Sequence, residues 1–283
     1  NGEEITQEYN NELYINGKEI GSSEVLKPVP SDYRKTVYYN TYDVTDFMQK
    51  RTAVAIVLGN GRLFPMRQNK PYKAPVFGLP KCRINIIIEY TDGSSQRLVT
   101  DEKWKVTAEG PIRANNEYDG EEYDARMELT GWTEVGYDDS KWLKAERAEI
   151  PYGTLRSQMT PNMTEEKLNI KPIVTNVNGK TIIDFGQNMA GWLSFVPRGN
   201  TGDTIKIKYA EKLNADGTLY TENLRDAISE DIYICNGKET APWHSTFSYH
   251  GFRYAEIKGM KNVTADDFTA LVVSDEMSST GTF

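Results

Sequence analysis

Short apolar or alternating runs recur along the chain, and most have the length of a β-strand. An early example is Leu13-Tyr14-Ile15, which runs into Asn16-Gly17, a dipeptide typical of β-hairpin turns, and then into Lys18-Glu19-Ile20. Residues 83–90 alternate isoleucine with polar residues and end at another turn sequence, Thr91-Asp92-Gly93. The other predicted strands are 37–42, 53–58, 181–183, 193–196, 204–209, 231–235, 254–257 and 268–273.

Helical periodicity is scarce. Residues 44–48 predict one short helical turn, and residues 138–142 predict another. Many short strands separated by turn sequences, without a long amphipathic helix, are typical of β-sandwiches and jelly rolls. We therefore predict an all-β fold with very little helix.

The strand pattern lapses at residues 148–171, and Pro151, Gly153, Pro161 and Pro172 interrupt the chain there. Such punctuation is typical of the segment between two domains, and 283 residues suffice for two. We predict one β-sandwich domain at residues 1–150 and a second at residues 151–283. The chain begins Asn1-Gly2 without a methionine or an apolar leader, a start typical of a mature or truncated N-terminus.

Composition favours a soluble globular protein and argues against two kinds of partner. Charged residues make up 26% and hydrophobic residues 38% of the chain, as in ordinary globular domains. The best apolar run, residues 84–88, is far shorter than the roughly 20 residues of a spanning helix, so no membrane insertion is expected. The net charge of −8 and the interleaving of basic with acidic residues argue against nucleic-acid binding.

The two cysteines, Cys82 and Cys235, lie far apart, each in an apolar, strand-like stretch. Two cysteines exclude a disulfide-stapled small fold and a cysteine-based zinc site. We expect buried free thiols rather than a bridge between domains, and the pair does not fix the cellular compartment.

Distinct motifs follow one another along nearly the whole chain. In the first half they are residues 12–18, 31–35, 42–45, 118–126, 131–132 and 138–142, and in the second half residues 184–192, 210–213, 216–220 and 249–254. In this order they resemble the N-terminal β-sandwich and the concanavalin-like domain of bacterial α-L-rhamnosidases, glycoside hydrolase family 78. Residues 62–81 depart from the aromatic- and glycine-rich loop that the family usually has there.

The resemblance implies a jelly-roll-like first domain and a concanavalin-like second domain, taken from an enzyme that hydrolyses terminal α-L-rhamnose with inversion. Inversion needs a general acid and a general base roughly 6.5–9.5 Å apart. In the family both lie on a following (α/α)6 barrel, and residue 283 falls where the linker to that barrel would begin. We therefore assign no catalytic residue to this chain and expect it to be inactive alone.

The resemblance also implies the partners. These are a rhamnose-containing glycan and a C-terminal (α/α)6 catalytic domain in the same polypeptide. For a bacterial enzyme of this kind, a periplasmic or secreted location is favoured over a cytoplasmic one. An autonomous carbohydrate-binding module without an attached enzyme is the alternative function, and a complete hydrolase is a third hypothesis.

The densest group of candidate site residues lies at residues 117–128, which contain six carboxylates and Arg126 within one short stretch. Carboxylates and an arginine can hydrogen-bond sugar hydroxyls while an aromatic ring stacks on the sugar. The candidate carbohydrate-binding residues are Asp119, Glu121, Asp124, Arg126 and Trp132. Two alternatives remain: a purely structural turn with an Asp124–Arg126 ion pair, and a general acid/base pair of carboxylates.

No cofactor or metal ligand is predicted. The acidic spacing at residues 117–128 is not that of an EF-hand loop, although calcium, which some rhamnose-binding sandwiches use, stays an alternative. His244 and His250 have no third ligand at a useful spacing, and His250 is interpreted as a structural residue.

A second group of candidate site residues lies in the half that resembles the concanavalin-like domain. The sequence Asp184-Phe185-Gly186-Gln187-Asn188 predicts a polar turn between two apolar strands. We interpret Asp184, Gln187, Asn188, His250 and Arg253 as a docking surface for the catalytic barrel or as a rim of the active site. The alternative is a tight structural turn with Gly186 at positive φ and Asn188 satisfying backbone groups.

Overall fold

The structure is a computed structural model, and it describes residues 4–5, 11–61, 64, 78–149, 153–238, 241–277 and 280–281. Most of the departing segment 62–81 lies outside these residues. In chain order the strands are β1 (Glu4–Ile5), β2 (Asn11–Ile15), β3 (Lys18–Ile20), β4 (Glu24–Val25), β5 (Thr36–Thr41), β6 (Val54–Leu58), β7 (Asn85–Glu89), β8 (Ser95–Val99), β9 (Lys105–Val106), β10 (Ile112–Asn116), β11 (Gly120–Asp124), β12 (Leu143–Lys144), β13 (Thr154–Ser157), β14 (Met163–Lys167), β15 (Ile173–Val177), β16 (Lys180–Phe195), β17 (Thr204–Ala210), β18 (Lys212–Leu213), β19 (Leu219–Tyr220), β20 (Glu230–Ile234), β21 (His250–Lys258) and β22 (Phe268–Asp275). Four single-turn 3-10 helices accompany them: η1 (Thr45–Phe47), η2 (Ala125–Met127), η3 (Glu222–Leu224) and η4 (Ala265–Asp267).

The predicted all-β fold is confirmed, because the helical elements of the described chain are only these 3-10 turns. The helical turn predicted at residues 44–48 corresponds to η1. The one predicted at 138–142 is wrong: it is an irregular turn in which the Trp142 N–H donates to the Asp139 carbonyl at 2.9 Å. Within the described residues, no helix is long and apolar enough to cross a membrane.

The first hairpin forms as the sequence predicts. Strands β2 and β3 pair antiparallel around Asn16 and Gly17, both at positive φ, as a tight hairpin turn requires. β6 pairs on the other side of β2. Side chains of β2 alternate between its two faces. Leu13 and Ile15 pack in a small core with Ile84 and Ile86, whereas Glu12 and Tyr14 lie on the opposite face of the strand.

The largest sheet runs in the order β10-β11-β20-β17-β21-β16-β22-β14-β4, with β15 pairing β16. Its long strand β16 replaces the two separate strands predicted at 181–183 and 193–196. The start of β16 pairs with β15 and β21 and its end pairs with β22, so one strand connects two parts of the sheet. The main core packs against it, and its largest side chains include Phe185, Phe195, Tyr209, Tyr233 and Phe252.

The two halves of the sequence share this sheet. β11 lies before residue 150 and pairs parallel with β20, while β4 pairs with β14. The segment 148–171, where no strands were predicted, contains β13 and β14. The division at residue 150 therefore remains a prediction.

Neither cysteine forms a disulfide; Cys235 is buried and Cys82 is half-buried.

Candidate functional site

The turn at residues 117–119 packs directly on the start of β20. The backbone N–H groups of Ser229 and Glu230 donate to the carbonyls of Tyr118 and Asp119, each at 3.0 Å. Gly120 follows at φ +104°, and a Cβ there would lie 2.2 Å from the Glu230 carbonyl oxygen. Only glycine allows this approach, and it places the next residue inside the protein.

Glu121 is buried, and its carboxylate binds backbone groups. It accepts the N–H of Thr246 at 3.0 Å and the N–H of Phe247 at 2.9 Å, and its own N–H donates to Oδ1 of Asp231 at 2.9 Å. Burial raises the pKa of Glu121 to about 8, although the two N–H groups act in the opposite direction. Glu121 thus holds the segment 244–248, and it is not open to a sugar at the surface.

Asp231 lies at the centre of a buried polar network. It accepts the Tyr209 hydroxyl at 2.8 Å and Nε2 of His250 at 3.0 Å, while Nδ1 of His250 lies 3.1 Å from the Ser229 hydroxyl. The Tyr209 ring stacks on the imidazole with centroids 4.2 Å apart. Burial alone would raise the pKa of Asp231, but the neighbouring His250 and several hydrogen bonds outweigh it and lower this pKa.

Ser229, His250 and Asp231 are connected in the order of a nucleophilic triad. Ser229, His250 and Asp231 are 6%, 4% and 0% exposed, so no substrate reaches the Ser229 hydroxyl. Both ring nitrogens of His250 have a polar partner, so the imidazole is held in one orientation between the strands. The arrangement therefore has a structural role.

The remaining members of the first candidate group point elsewhere. Asp124 binds Arg126 through both oxygens, at 2.8 and 2.7 Å, and accepts the Arg126 N–H at the start of η2. This hydrogen bonding lowers the pKa of Asp124. Trp132 packs edge-on against Tyr14 and beside Trp142, at 5.7 and 6.3 Å between ring centroids. Asp119 is half-buried. Sugar binding by this group remains a prediction.

The second candidate group forms an irregularity of β16. Between the pairs Asp184–Tyr254 and Met189–Phe252 the register shifts, so that Gly186, Gln187 and Asn188 bulge out and are exposed. Gly186 has φ +75°, as predicted. The side chain of Asn188 donates to Glu211 at 3.0 Å rather than to the backbone.

A bidentate ion pair lies beside this bulge. Arg253 donates to the two oxygens of Asp184 at 2.8 and 2.9 Å, and the Asp184 Oδ1 also accepts the Gly186 N–H at 2.7 Å. The hydrogen bonds from Arg253 lower the pKa of Asp184. Asp184, Gln187, Asn188 and Arg253 therefore share one outer surface, which we call the bulge face, whereas His250 lies inside the protein.

Sequence reasoning assigned no role to a cavity of about 130 Å³ where the two halves meet. Glu12 and Glu19 line it from the first hairpin, and Glu165 and His244 line it from the second half. The Trp192 indole N–H donates to Glu165 at 3.2 Å, and the imidazole of His244 stacks flat on the Trp192 ring. The alternation of buried and exposed residues in β2 places Glu12 on the outer face of the strand. The sequence around Glu12 does not show that a later segment of the chain covers this face.

A second depression, of about 260 Å³, lies between β5 and the segment after β13. Tyr39, Asn40 and Tyr42 face Gln158 and Asn162 there. Gln158 fixes the geometry, because its amide donates to Asn162 at 2.8 Å and its Oε1 accepts the Val29 N–H at 3.0 Å.

Among the described residues, no three histidine, cysteine, aspartate or glutamate side chains are arranged to hold a metal ion.

Fold and site define an all-β protein in which Glu121 and Asp124 bind other groups of the same chain. Residues 9–167 match the α-L-rhamnosidase N-terminal domain, and residues 175–274 match the bacterial α-L-rhamnosidase concanavalin-like domain. The chain belongs to the bacterial α-L-rhamnosidase family.

Individual relatives agree. An α-L-rhamnosidase of Formosa agariphila is 34% identical over 96% of this chain and 30% of its own length. The α-L-rhamnosidase structure from Dictyoglumus thermophilum superposes with a TM-score of 0.87 at 38% identity, over 97% of this chain and 31% of that one. The Streptomyces avermitilis α-L-rhamnosidase, complexed with L-rhamnose, gives 0.86 at 31% identity, over 97% and 27%. The chain thus spans less than a third of the length of these relatives.

Proposed function

We propose that this chain is the non-catalytic β-portion of an α-L-rhamnosidase and supports an (α/α)6 catalytic domain in the same polypeptide. One observation carries the proposal: the chain matches the two β-domains of the family while spanning only 30% of the Formosa enzyme. The acidic groups of the predicted site support it, because Glu121 binds two backbone N–H groups and Asp124 is paired with Arg126. An inverting glycosidase instead needs two carboxylates facing an open gap that admits a water molecule.

The bulge face is the surface that we assign to the catalytic domain. Exposed side chains ordinarily keep their rotamer freedom, and holding them in pairs costs entropy. Here Arg253 is held by Asp184, and Asn188 is held by Glu211, so four exposed or half-exposed groups have fixed positions. Groups fixed in this way suit docking against a second domain or forming the edge of its substrate entrance.

The test compares two polypeptides on p-nitrophenyl α-L-rhamnoside: this chain alone and this chain extended by the region that follows it in its gene. We expect turnover only from the extended protein. Mass spectrometry of the short protein excludes contaminating enzyme. Turnover by the chain alone, scaling with its concentration, would contradict the proposal.

Carbohydrate binding by the β-portion is the second candidate function. The polar depression beside Tyr39 and Tyr42 favours it, because a volume of about 260 Å³ admits one pyranose between aromatic and amide side chains. Titration calorimetry with millimolar L-rhamnose distinguishes the sites. Loss of heat in Tyr39→Ala assigns binding to this depression, and loss in Arg126→Ala assigns it to the predicted group at 119–132. If neither the parent chain nor the variants give heat on titration, this candidate function is removed.

A further inference from the structure

The segment 244–248 is a wedge between the two halves of the chain. Glu121 of β11 holds its Thr246 and Phe247 N–H groups. The Phe247 ring lies against Gly59, where a Cβ would come within 2.5 Å of it, and His244 stacks on Trp192 of β16. Anything that moves this wedge therefore changes the contact between the halves.

Acidic groups face the wedge from both sides. Glu12 and Glu19 line the junction cavity from β2 and β3, and Glu165 lines it from β14. Glu24 lines its edge and accepts the Tyr42 hydroxyl at 2.6 Å. The titratable and charged groups around the wedge are Glu12, Tyr14, Glu19, Glu24, Lys27, Glu121, Glu165 and Asp231, and His244 lies within it.

Few cations balance these carboxylates. Lys27 is buried, and its ammonium donates to the carbonyls of Ile20 and Gly21 at 2.9 and 2.6 Å, with Glu24 at 4.0 Å. His244 donates from Nδ1 to the Ser245 carbonyl at 2.8 Å, and its other nitrogen lies 3.8 Å from Glu165. The charges of Glu12, Glu19 and Glu24 act on the Lys27 ammonium, so full ionisation of the three would leave an excess of negative charge.

Burial disfavours the ionised form of two acids of the junction, Glu12 and Glu19. Burial raises the pKa of Glu12 to about 7, although the Tyr14 hydroxyl that donates to it at 2.8 Å acts in the opposite direction. Burial also raises the pKa of Glu19. Glu12 lies close enough to Glu121 for each negative charge to oppose the other.

We propose that the junction is a proton-dependent latch, closed while Glu12 carries a proton and loosened when Glu12 ionises. A protonated Glu12 adds no charge to the cavity and keeps the Tyr14 hydrogen bond. An ionised Glu12 adds a negative charge opposite Glu19 and Glu121, in a space of about 130 Å³ that water does not fully screen. The charge on Glu12 opposes the ionised form of Glu121, which is the form that the Thr246 and Phe247 N–H groups bind best. These two hydrogen bonds then weaken and the halves become less tightly coupled, while each half keeps its own core.

Amide hydrogen exchange of the full chain tests this latch. Protection factors, corrected for intrinsic base catalysis, are measured at Thr246 and Phe247 from about pH 6 to about pH 9, with Ile183 and Ala255 of the main core as the internal reference. We expect protection at the wedge to fall by about tenfold or more across this range, while the core pair stays protected. A wedge that keeps constant protection at every pH would overturn the proposal.

Matched variants assign the effect to Glu12. Glu12→Gln keeps an oxygen for the Tyr14 hydroxyl and cannot ionise, so the wedge should stay protected at alkaline pH. Glu122→Gln is the control, because Glu122 is a half-buried glutamate that neighbours Glu121 in β11 and does not line the cavity. A pH profile in Glu12→Gln identical to that of the parent chain would contradict the proposal. If Glu12→Gln fails to fold, Glu165→Gln tests the latch from the opposite side of the cavity, with a smaller loss of protection expected.

Discussion

The backbone N–H of Glu121 donates to Oδ1 of Asp231 at 2.9 Å, across 110 positions of sequence. This bond continues the parallel pairing of β11 with β20 and brings two buried carboxylates to the same place. A strand from the first half thereby becomes part of the main sheet of the second half. The halves are joined through buried polar groups, so local changes at this joint should affect the stability of the whole chain.

Gly120→Ala should be one of the most damaging small substitutions. The added Cβ would meet the Glu230 carbonyl oxygen at 2.2 Å, and φ is +104°. We expect a loss of more than about 3 kcal/mol in the free energy of unfolding, measured by urea denaturation. Gly93→Ala is the matched control, since Gly93 has φ +85° and no neighbour within 4 Å. It carries only the cost of its backbone conformation, about 1–2 kcal/mol. Equal losses in both variants would show that the contact with β20 is not tight.

Glu121→Ala should destabilise the chain strongly, whereas Glu122→Ala should not. Removing the Glu121 carboxylate leaves the N–H groups of Thr246 and Phe247 buried without their acceptor, at a cost of about 1–3 kcal/mol for each group. Glu122 alternates to the other face of β11 and is half-buried. Urea denaturation of both variants at neutral pH measures the difference. Similar midpoints would argue against a structural role for Glu121.

Asp231→Asn should change how stability depends on acid. The folded-state pKa of Asp231 is below the ordinary aspartate value of 3.8, so its ionised form contributes stability above that pH. This contribution is lost as the pH falls through the folded-state pKa, and the isosteric amide never has it. We therefore expect Asp231→Asn to be less stable at neutral pH, by about 1–3 kcal/mol, with the two stability curves converging as the pH falls below 3.8. Curves that stay parallel down to the pH at which the chain unfolds would show that Asp231 does not titrate in this way.

Local sequence signals predicted the local structure well. Asn16-Gly17 produced the tight hairpin, and Gly186 adopts the positive φ expected of it. The length of β16 was not predictable, because three consecutive exposed residues lie between buried Phe185 and Met189 and break the alternation expected of a strand. A bulge reconciles this pattern with a continuous strand, because residues 185–188 of β16 lie opposite the single residue Arg253 of β21.

Long-range relationships account for what the sequence could not show. Alternation in β11 shows that Glu121 and Tyr123 face one way, but not that β20 will pair with this strand from 110 positions away. Glu121 therefore had the pattern of a surface acid in an acidic cluster. The same reasoning applies to Glu12, which is covered by a wedge that lies more than two hundred residues later. Burial of a polar face depends on topology, and single-sequence periodicity does not specify topology.

Arg253→Ala should separate stability from activity. The Asp184–Arg253 pair is partly exposed, so its loss should change the unfolding free energy of this chain by no more than about 1 kcal/mol. If the bulge face docks the catalytic domain or borders its entrance, the same substitution in the longer enzyme should lower kcat/KM for an α-L-rhamnoside by about tenfold, which corresponds to about 1.4 kcal/mol. Arg198→Ala is the matched control, because Arg198 forms an arginine–aspartate pair with Asp267 in the same half, on a surface without a predicted role. Equal activity of the two variants would remove the bulge face from the proposed function, while a loss confined to Arg253→Ala would place it next to the catalytic domain.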